Sequence, residues 1–145
     1  TGVINRIFHG FGKFEGEMDG RKNGALISMS NGKAVAFAIF NLQARGEMFV
    51  THNDPVYEGM IVGLAPKAGD MIINVMKGKQ LTNMRTQGTD ENVVLTPVRQ
   101  MSIAEQLSML NTDEALEITP KSLRLRKAIL NPTDRKKNEK SGTPL

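Results

Sequence analysis

Short apolar runs, separated by polar and glycine-containing stretches, dominate most of the chain. Their length and their Val, Ile, Leu and Met content are typical of β-strands. The strands predicted in this way span residues 3–8, 25–29, 48–50, 57–64, 71–76 and 93–95. The runs at 57–64 and 71–76 are joined by a predicted turn at Pro66–Asp70.

A further strand pair is predicted near the C-terminus, on either side of Pro120. Residues 116–119 form the first strand and residues 122–126 the second. The second strand alternates, so Leu123 and Leu125 are expected to face the core while Arg124 and Arg126 face solvent. The pattern predicts two short strands with a basic outer face.

A helix is predicted over residues 33–45, a stretch with four alanines and no interior glycine or proline. Its apolar positions recur at helical spacing, at Val35, Ala38, Ile39 and Leu42. Gly46 follows directly and is expected to serve as the C-cap. The run 37–40 is also compatible with a strand, because short apolar runs do not distinguish the two structures.

A second helix is predicted at residues 102–110. Ser102 and Glu105 have the spacing of a capping box, in which each residue's side chain accepts a hydrogen bond from the other's backbone N–H. Ile103, Leu107 and Leu110 are expected to form its apolar stripe.

Strands and helices follow one another without a regular β–α–β alternation, which favours an α+β fold. We expect a mixed, largely antiparallel sheet or a partly open barrel with a few short helices. Asn131 and Pro132 have the character of an N-cap and a first helical residue, so a short basic helix is predicted to begin there. Residues 138–145 are expected to form a disordered tail.

Charge is distributed unevenly, although the overall composition, 39% apolar and 23% charged, is that of an ordinary soluble domain. Residues 1–75 carry seven basic and seven acidic side chains, whereas residues 121–145 carry eight basic and two acidic. A basic segment on a neutral body favours a polyanionic partner, and a solvated tail that aids solubility is the alternative. No apolar run approaches the roughly 18–20 residues of a membrane span.

The sequence offers no constellation of catalytic or metal-binding residues. It has no cysteine, which excludes disulfides, thiolate zinc sites and cysteine nucleophiles and fits a reducing cytoplasm. His9 and His52 lie far apart without ligand-like neighbours, and the glycines at 10–16 lack the spacing of a phosphate-binding loop. We therefore expect no catalytic residue, no metal site and no cofactor in this chain.

The segment 77–89 is the first candidate for RNA binding. It lies between two predicted strands and combines cations with small hydrogen-bonding side chains, and its length without predicted structure is typical of functional loops. Lysine and arginine bind phosphates, while amides and hydroxyls can meet base edges or the 2′-hydroxyl. The candidate residues are Lys77, Lys79, Asn83, Arg85 and Thr89. A disordered hairpin loop is the alternative.

The second candidate is the basic C-terminal face. Its predicted members are Lys121, Arg124, Arg126, Lys127, Arg135, Lys136 and Lys137. Such a surface binds phosphates with a strong dependence on salt. Aromatic residues are scarce nearby, so backbone contacts rather than base stacking are expected.

Several stretches, in one order, resemble the BipA/TypA family of translational GTPases. They are Arg21–Ser28, Gly32–Phe37, Val56–Met60, Lys79–Arg85, Gly88–Glu91, Leu95–Pro97 and Ile118–Lys127. The resemblance covers the chain from near Thr1 to about Lys137.

The resemblance implies a division of the chain. Residues 1–16 resemble the closing strand of a domain V like that of elongation factor G, and residues 17–137 resemble the family's own C-terminal domain. It also implies a ribosomal partner, because the loop that matches residues 77–92 reaches the peptidyl-transferase region and the acceptor end of an A-site tRNA in the family.

The resemblance further implies a cytoplasmic parent that acts with GTP and Mg in large-subunit assembly and in stress and virulence regulation. The G domain and its motifs are not in this chain, so GTP hydrolysis is carried over to none of its residues. The family commonly has a glycine after the histidine where this chain has Asn53, and the tail after Arg135 matches weakly.

A different class of function is also compatible with the sequence. An apolar face, exemplified by Met48 and Phe49, would make the chain a protein-interaction module that holds a ribosomal protein or another domain of the parent. Salt distinguishes the two hypotheses, because RNA docking weakens steeply with ionic strength and an apolar interface does not.

Overall fold

The computed structural model describes residues 5, 7–13, 21–78 and 94–141. The described helices and strands, in chain order, are β1 (Ala25–Ser28), β2 (Gly32–Lys33), α1 (Ala36–Gln43), β3 (Glu47–Met48), β4 (Pro55–Val56), β5 (Ile61–Leu64), β6 (Met71–Ile73), α2 (Ile103–Ser108), β7 (Glu114–Ile118), β8 (Leu123–Lys127) and α3 (Pro132–Ser141).

The described strands form one four-stranded sheet and two small ribbons. The sheet has the order β3-β5-β1-β6, and the ribbons pair β2 with β4 and β7 with β8. β1 and β6 run parallel, whereas the other pairs are antiparallel. The predicted α+β class with a mixed, largely antiparallel sheet is confirmed, in the form of an open sheet rather than a closed barrel.

β1 is one of the two inner strands of the sheet and is covered on both faces. Leu26 packs into a core formed with α1, while Ala25 and Ile27 pack into a second core with Leu125 of the hairpin. All three β1 side chains are at most 1% exposed. This two-sided burial explains why the strand is a continuous apolar run instead of an alternating one.

The predicted helix before Gly46 is confirmed as α1, which begins at Ala36 and buries Ala38 and Ile39. The prediction that Gly46 caps it was wrong, because the C-cap is Ala44. A side chain at position 46 would instead overlap the carbonyl oxygen of Leu64. Glycine is therefore required there by the close approach of β3 to β5.

The capping box of α2 is confirmed, since the Ser102 side chain accepts from the Glu105 N–H and the Glu105 carboxylate accepts from the Ser102 N–H at 2.8 Å. The predicted apolar stripe was wrong for two of its three residues. Ile103 and Leu107 are 48% and 52% exposed, and the helix buries Gln106 instead. The Gln106 amide reaches the carbonyl of Met101 at 3.3 Å, which satisfies its polar end.

The predicted C-terminal strand pair is confirmed as the β7–β8 hairpin. β8 joins the rest of the fold through the Lys127 N–H, which donates to the Gly59 carbonyl at 2.9 Å, and through a bridge between Arg126 and Met60. Leu125 is 4% exposed and fills the second core, as the alternation predicted.

Other predicted boundaries shift. Residues 57–64 contain a turn before β5 begins at Ile61, and β6 ends at Ile73 rather than at residue 76. β6 pairs with β1 rather than with β5. Of the predicted strand at 3–8, residues 3, 4 and 6 lie outside the described residues, and residues 5, 7 and 8 belong to no strand. Val93 also lies outside the described residues, while Val94 and Leu95 belong to no strand.

The predicted basic helix is confirmed as α3, and Asn131 caps it by accepting from the N–H groups of Thr133 and Asp134 at 2.8 and 3.3 Å. The helix continues to Ser141, so the prediction of a disordered tail was wrong for residues 138–141. Residues 142–145 lie outside the described part of the chain.

Candidate nucleic-acid interface

Of the predicted RNA-binding loop, residues 77–89, the structure describes residues 77 and 78. Lys77 is exposed, two positions after the core residue Val75. Lys79, Asn83, Arg85 and Thr89 lie outside the described residues.

The described chain on both sides of this loop is attached to α1. On the entry side, the Val75 carbonyl accepts from the N–H of Val35, the residue that precedes the helix, at 2.9 Å. On the exit side, the Gln43 amide both donates to the Thr96 carbonyl at 2.8 Å and accepts from the Thr96 N–H at 3.1 Å. Eight helical residues separate the two anchors along the axis by roughly 12 Å. The chain is therefore attached to one helix at Val75, before the loop, and again at Thr96, after it.

Lys127, predicted to contact RNA, is placed elsewhere by the structure. Its side chain is 2% exposed and its ammonium group lies 2.5 Å from Asp70, 2.7 Å from Asp113 and 3.1 Å from Glu114. The prediction is corrected for this residue, because an ammonium group enclosed by carboxylates cannot reach a phosphate. The strand alternation explains the error, since Lys127 follows Leu123 and Leu125 on the inward face of β8.

An ionic cluster consists of Arg21, Asp70, Asp113, Glu114 and Lys127, and its buried centre is formed by Arg21, Glu114 and Lys127. Arg21 forms a two-point pair with the fully buried Glu114 carboxylate, at 2.7 and 3.1 Å. Asp70 also accepts from the Ala25 N–H at 2.7 Å. The cluster thus attaches the hairpin to the start of β1 and to the turn before β6.

The cluster shifts the pKa of two of its members. Burial acts to lower the pKa of Lys127, but the hydrogen bonds to Asp113 and Asp70 and the charge of Glu114 outweigh it, so the pKa is raised. Burial acts to raise the pKa of Asp70, and the hydrogen bonds from Lys127 and Ala25 overcome it, so that pKa is lowered. Both shifts favour the charged forms of Lys127 and Asp70.

Arg124 faces outward as predicted, but it has a partner. Its guanidinium donates to Glu117 on the neighbouring strand at 3.2 Å, and the other oxygen of Glu117 accepts from the Tyr57 hydroxyl at 2.6 Å. Burial, reinforced by the bond to Glu117, raises the pKa of Tyr57 to about 12. The Tyr57 hydrogen bond is also the largest cause of the lowered pKa of Glu117. Arg124 is therefore oriented and partly neutralised.

Arg126 also has a local role, since its guanidinium donates to the carbonyls of Lys127 and Ala128 at 3.2 and 3.4 Å. Lys121, in contrast, is exposed at the tip of the hairpin, and within the described part of the chain it has no ion pair. Of the four cations predicted on β8 and its turn, Lys121 is thus the one that is fully available to a phosphate.

A groove of about 780 Å³ runs between α2 and the hairpin. Lys121 and Arg124 lie along it, together with Phe49 and Leu125 on its apolar side. Arg99 also lines it and pairs with Glu105 at 3.4 Å. The sequence did not point to Arg99, because residues 98–101 have the pattern of a plain connection. The groove offers an apolar floor with cations at its edge.

The apolar face suggested by Met48 and Phe49 is not exposed. Met48 is 3% exposed in the first core, and Phe49 is partly buried against the second. Two apolar side chains of the same groove are exposed instead: Ile103 on α2, and Ile118 on β7, of which 63% is exposed.

His52 has a structural partner, because its Nδ1 accepts from the Ala36 N–H at 3.2 Å and so caps the start of α1. Within the described ranges, no group of three or more His, Asp or Glu side chains is arranged to hold a metal ion. No helix in those ranges combines the length and the apolar character needed to cross a bilayer.

Comparison with known proteins gives the family. The model of the TypA/BipA C-terminal domain matches residues 23–132. The chain belongs to this family. Its relatives include proteins named large ribosomal subunit assembly factor BipA. The protein from Buchnera aphidicola is 47% identical over the whole of this chain and 24% of its own length. Those from Salmonella typhimurium and Escherichia coli K12 are 45% identical over 94% of this chain and 23% of their own length.

The chain therefore spans about a quarter of the length of the curated relatives it matches. One departure from the TypA/BipA pattern is explained by the backbone. Asn53, where the family commonly has glycine, has a φ of 70°. Asparagine is among the residues that tolerate this left-handed conformation best, so the turn after His52 keeps a geometry suited to glycine.

Proposed function

We propose that this chain is the ribosome-docking C-terminal region of a BipA-type translational GTPase. The anchoring of the loop supports the proposal, because Val75 and Thr96 tie both ends of a segment rich in cations and amides to α1. The names of its relatives as large ribosomal subunit assembly factors support a ribosomal partner.

In this proposal, Lys77, Lys79, Asn83, Arg85 and Thr89 contact large-subunit ribosomal RNA and the acceptor end of an A-site tRNA. Lys121 adds a phosphate contact, and Arg124 a weaker one because Glu117 shares its charge. GTP and Mg would bind in another part of the parent, which acts in the cytoplasm, and this region would contribute binding and orientation rather than chemistry.

Co-sedimentation with ribosomes tests the proposal. Replacing Lys79 and Arg85 together with alanine is expected to weaken pelleting at moderate salt and to leave the melting temperature unchanged, because phosphate contacts contribute to binding and not to folding. The matched control replaces Arg45 and Lys67, which are exposed, lie outside the loop and the groove, and carry the same two charges. Equal pelleting of the two double variants would remove the loop from the account.

Ile103 and Ile118 favour a second candidate, in which the groove holds a protein segment of the ribosome or of the parent. Apolar burial is insensitive to moderate salt, unlike phosphate binding. Replacing both isoleucines with serine would weaken ribosome binding at high salt in this case and would change little if RNA contacts dominate.

A further inference from the structure

A second basic surface lies on α3, apart from the loop and the groove. No residue of this ten-residue helix is buried. Its direction is nevertheless fixed at the N-terminal end, because Asn131 caps it and the Arg135 guanidinium donates to the carbonyls of Leu130 and Ile129 at 2.6 and 3.0 Å. All of these contacts lie within residues 129–135, so they order the N-terminal turn of α3 without burying any of its residues against the sheet.

Beside α3 lies an apolar floor at the edge of the sheet. β6 is an edge strand, and its residue Ile72 is 46% exposed. Met29, which directly follows β1, is 49% exposed. Together with Pro132 and the lysines of α3, these two side chains line a groove of about 520 Å³, which we call the α3 groove. A helix beside such a floor would ordinarily cover it with an apolar stripe.

Instead, α3 presents lysines to the floor. Lys136, Lys137 and Lys140 line the groove. Lys137 pairs with Asp134 at 3.4 Å, a contact in which both side chains are well exposed. Within the described ranges, Lys136 and Lys140 have no carboxylate at ion-pairing distance. The fold therefore leaves both the apolar floor and the neighbouring charges without partners.

We propose that the α3 groove binds an acidic segment of a partner protein, with an apolar side chain on the floor and carboxylates on the lysines. The lysines favour a partner segment that carries carboxylates, because the charges are complementary. The exposed Met29 and Ile72 favour an apolar side chain in the same segment. The aliphatic stems of the lysines extend the apolar contact while their ammonium groups meet the carboxylates.

The inference goes beyond the proposed function, which assigns RNA contacts to the loop and to Lys121 and Arg124. It gives Lys136 and Lys137, which the sequence grouped with the RNA-binding face, a different partner.

An RNA strand fits these observations less well. Phosphates would use the lysines but would leave the floor uncovered, and the groove lining contains no aromatic ring or arginine on which a base could stack. A protein segment can contact the apolar floor and the lysines of α3 at the same time.

Fluorescence anisotropy with labelled synthetic peptides tests the inference on the full 145-residue chain. The probe alternates glutamate with leucine, and the two comparison probes are an all-glutamate peptide and a single-stranded RNA of equal charge. We expect the alternating peptide to bind most tightly. Lys136→Glu with Lys140→Glu should weaken it about tenfold, and Ile72→Ser about fivefold. The charge-matched control, Arg45→Glu with Lys67→Glu, should leave binding unchanged.

Each other outcome overturns the inference. Equal binding of the alternating and all-glutamate peptides, or insensitivity to Ile72→Ser, would mean that the floor takes no part. Tighter RNA binding that depends on the two lysines would make the surface a nucleic-acid site. Concentration-dependent self-association lost in Ile72→Ser would assign the floor to a second copy of the chain. Circular dichroism of each variant establishes that the comparison is made between folded proteins.

Discussion

Lys121, in the turn before β8, and Lys127, the last residue of β8, are only six positions apart and have opposite environments. Lys127 is 2% exposed and contacts three carboxylates, whereas Lys121 is exposed at the edge of a groove. The first attaches the hairpin to the body, and the second is available to a phosphate. A basic run in a sequence can therefore combine residues that stabilise the fold with residues that bind a partner.

What separates the two lysines is the set of acidic neighbours supplied by distant parts of the chain. Asp70 comes from the turn before β6, while Asp113 and Glu114 come from the start of β7. Breaking a buried pair leaves a charge without compensation, whereas removing an exposed one costs little stability. Substitutions in the cluster around Lys127 should accordingly change stability, whereas substitution of Lys121 should change binding.

The largest expected effect is on stability, at Glu114. Glu114→Ala leaves Arg21 and Lys127 without their shared buried carboxylate and should lower the free energy of unfolding by about 3–5 kcal/mol. For a domain of this size, that corresponds to a fall in Tm of roughly 10 °C. Calorimetry of Glu114→Ala beside Glu139→Ala, an exposed control, measures the difference. Equal melting of the two variants would break the comparison, because the cluster would then contribute nothing to the fold.

A smaller effect is expected from pH, at Asp70. Its pKa is lower in the folded protein than its ordinary value, so its contribution is complete above the ordinary carboxyl range and is lost as the pH falls through the lowered pKa. Because this side chain is 36% exposed, its contribution should be only about 1 kcal/mol.

Urea unfolding across a pH series measures this contribution against Asp70→Asn. The wild type should be the more stable protein at neutral pH, and the gap should close on acidification. A gap that stayed constant to strongly acidic pH would show that Asp70 stabilises the fold by something other than its charge.

The smallest expected effect concerns Tyr57, the one tyrosine of the sequence. The ultraviolet absorbance of the phenolate therefore reports this residue alone, with an expected pKa of about 12. Glu117→Gln removes a carboxylate that raises this pKa and should move it toward the ordinary 10.0. An ordinary pKa in the wild type would mean that Glu117 is not held by Tyr57, and Arg124 would then be less restrained than the structure indicates.

Local signals in the sequence predicted the elements that depend on local contacts. The capping box at Ser102 and Glu105, the hairpin around Pro120 and the cap at Asn131 each involve residues within a few positions of one another, and all three are present. The TypA/BipA membership was also readable from the order of its motifs.

The failures at Gly46, Lys127 and Ile103 concern residues whose environment is set by distant segments, either through contact with them or through its absence. Gly46 is glycine because β5 approaches it, and Lys127 is buried because three carboxylates converge on it. Ile103 fits the apolar stripe of α2 but lies over a groove that the domain leaves open. These neighbours are far away in the sequence, so a pattern of nearby residues does not predict them.

The central claim is that exposed cations of this chain bind ribosomal RNA while the buried ones maintain the fold. The salt dependence of ribosome binding, measured well below every variant's Tm, tests it most directly for the wild type, for Lys77→Ala with Lys121→Ala, and for Lys127→Met. We predict a steep loss of affinity with salt for the wild type, a log–log slope shallower by about 2 for the double variant, and a wild-type slope for Lys127→Met. A flat dependence in the wild type, or a slope changed by Lys127→Met and not by the double variant, would contradict the account.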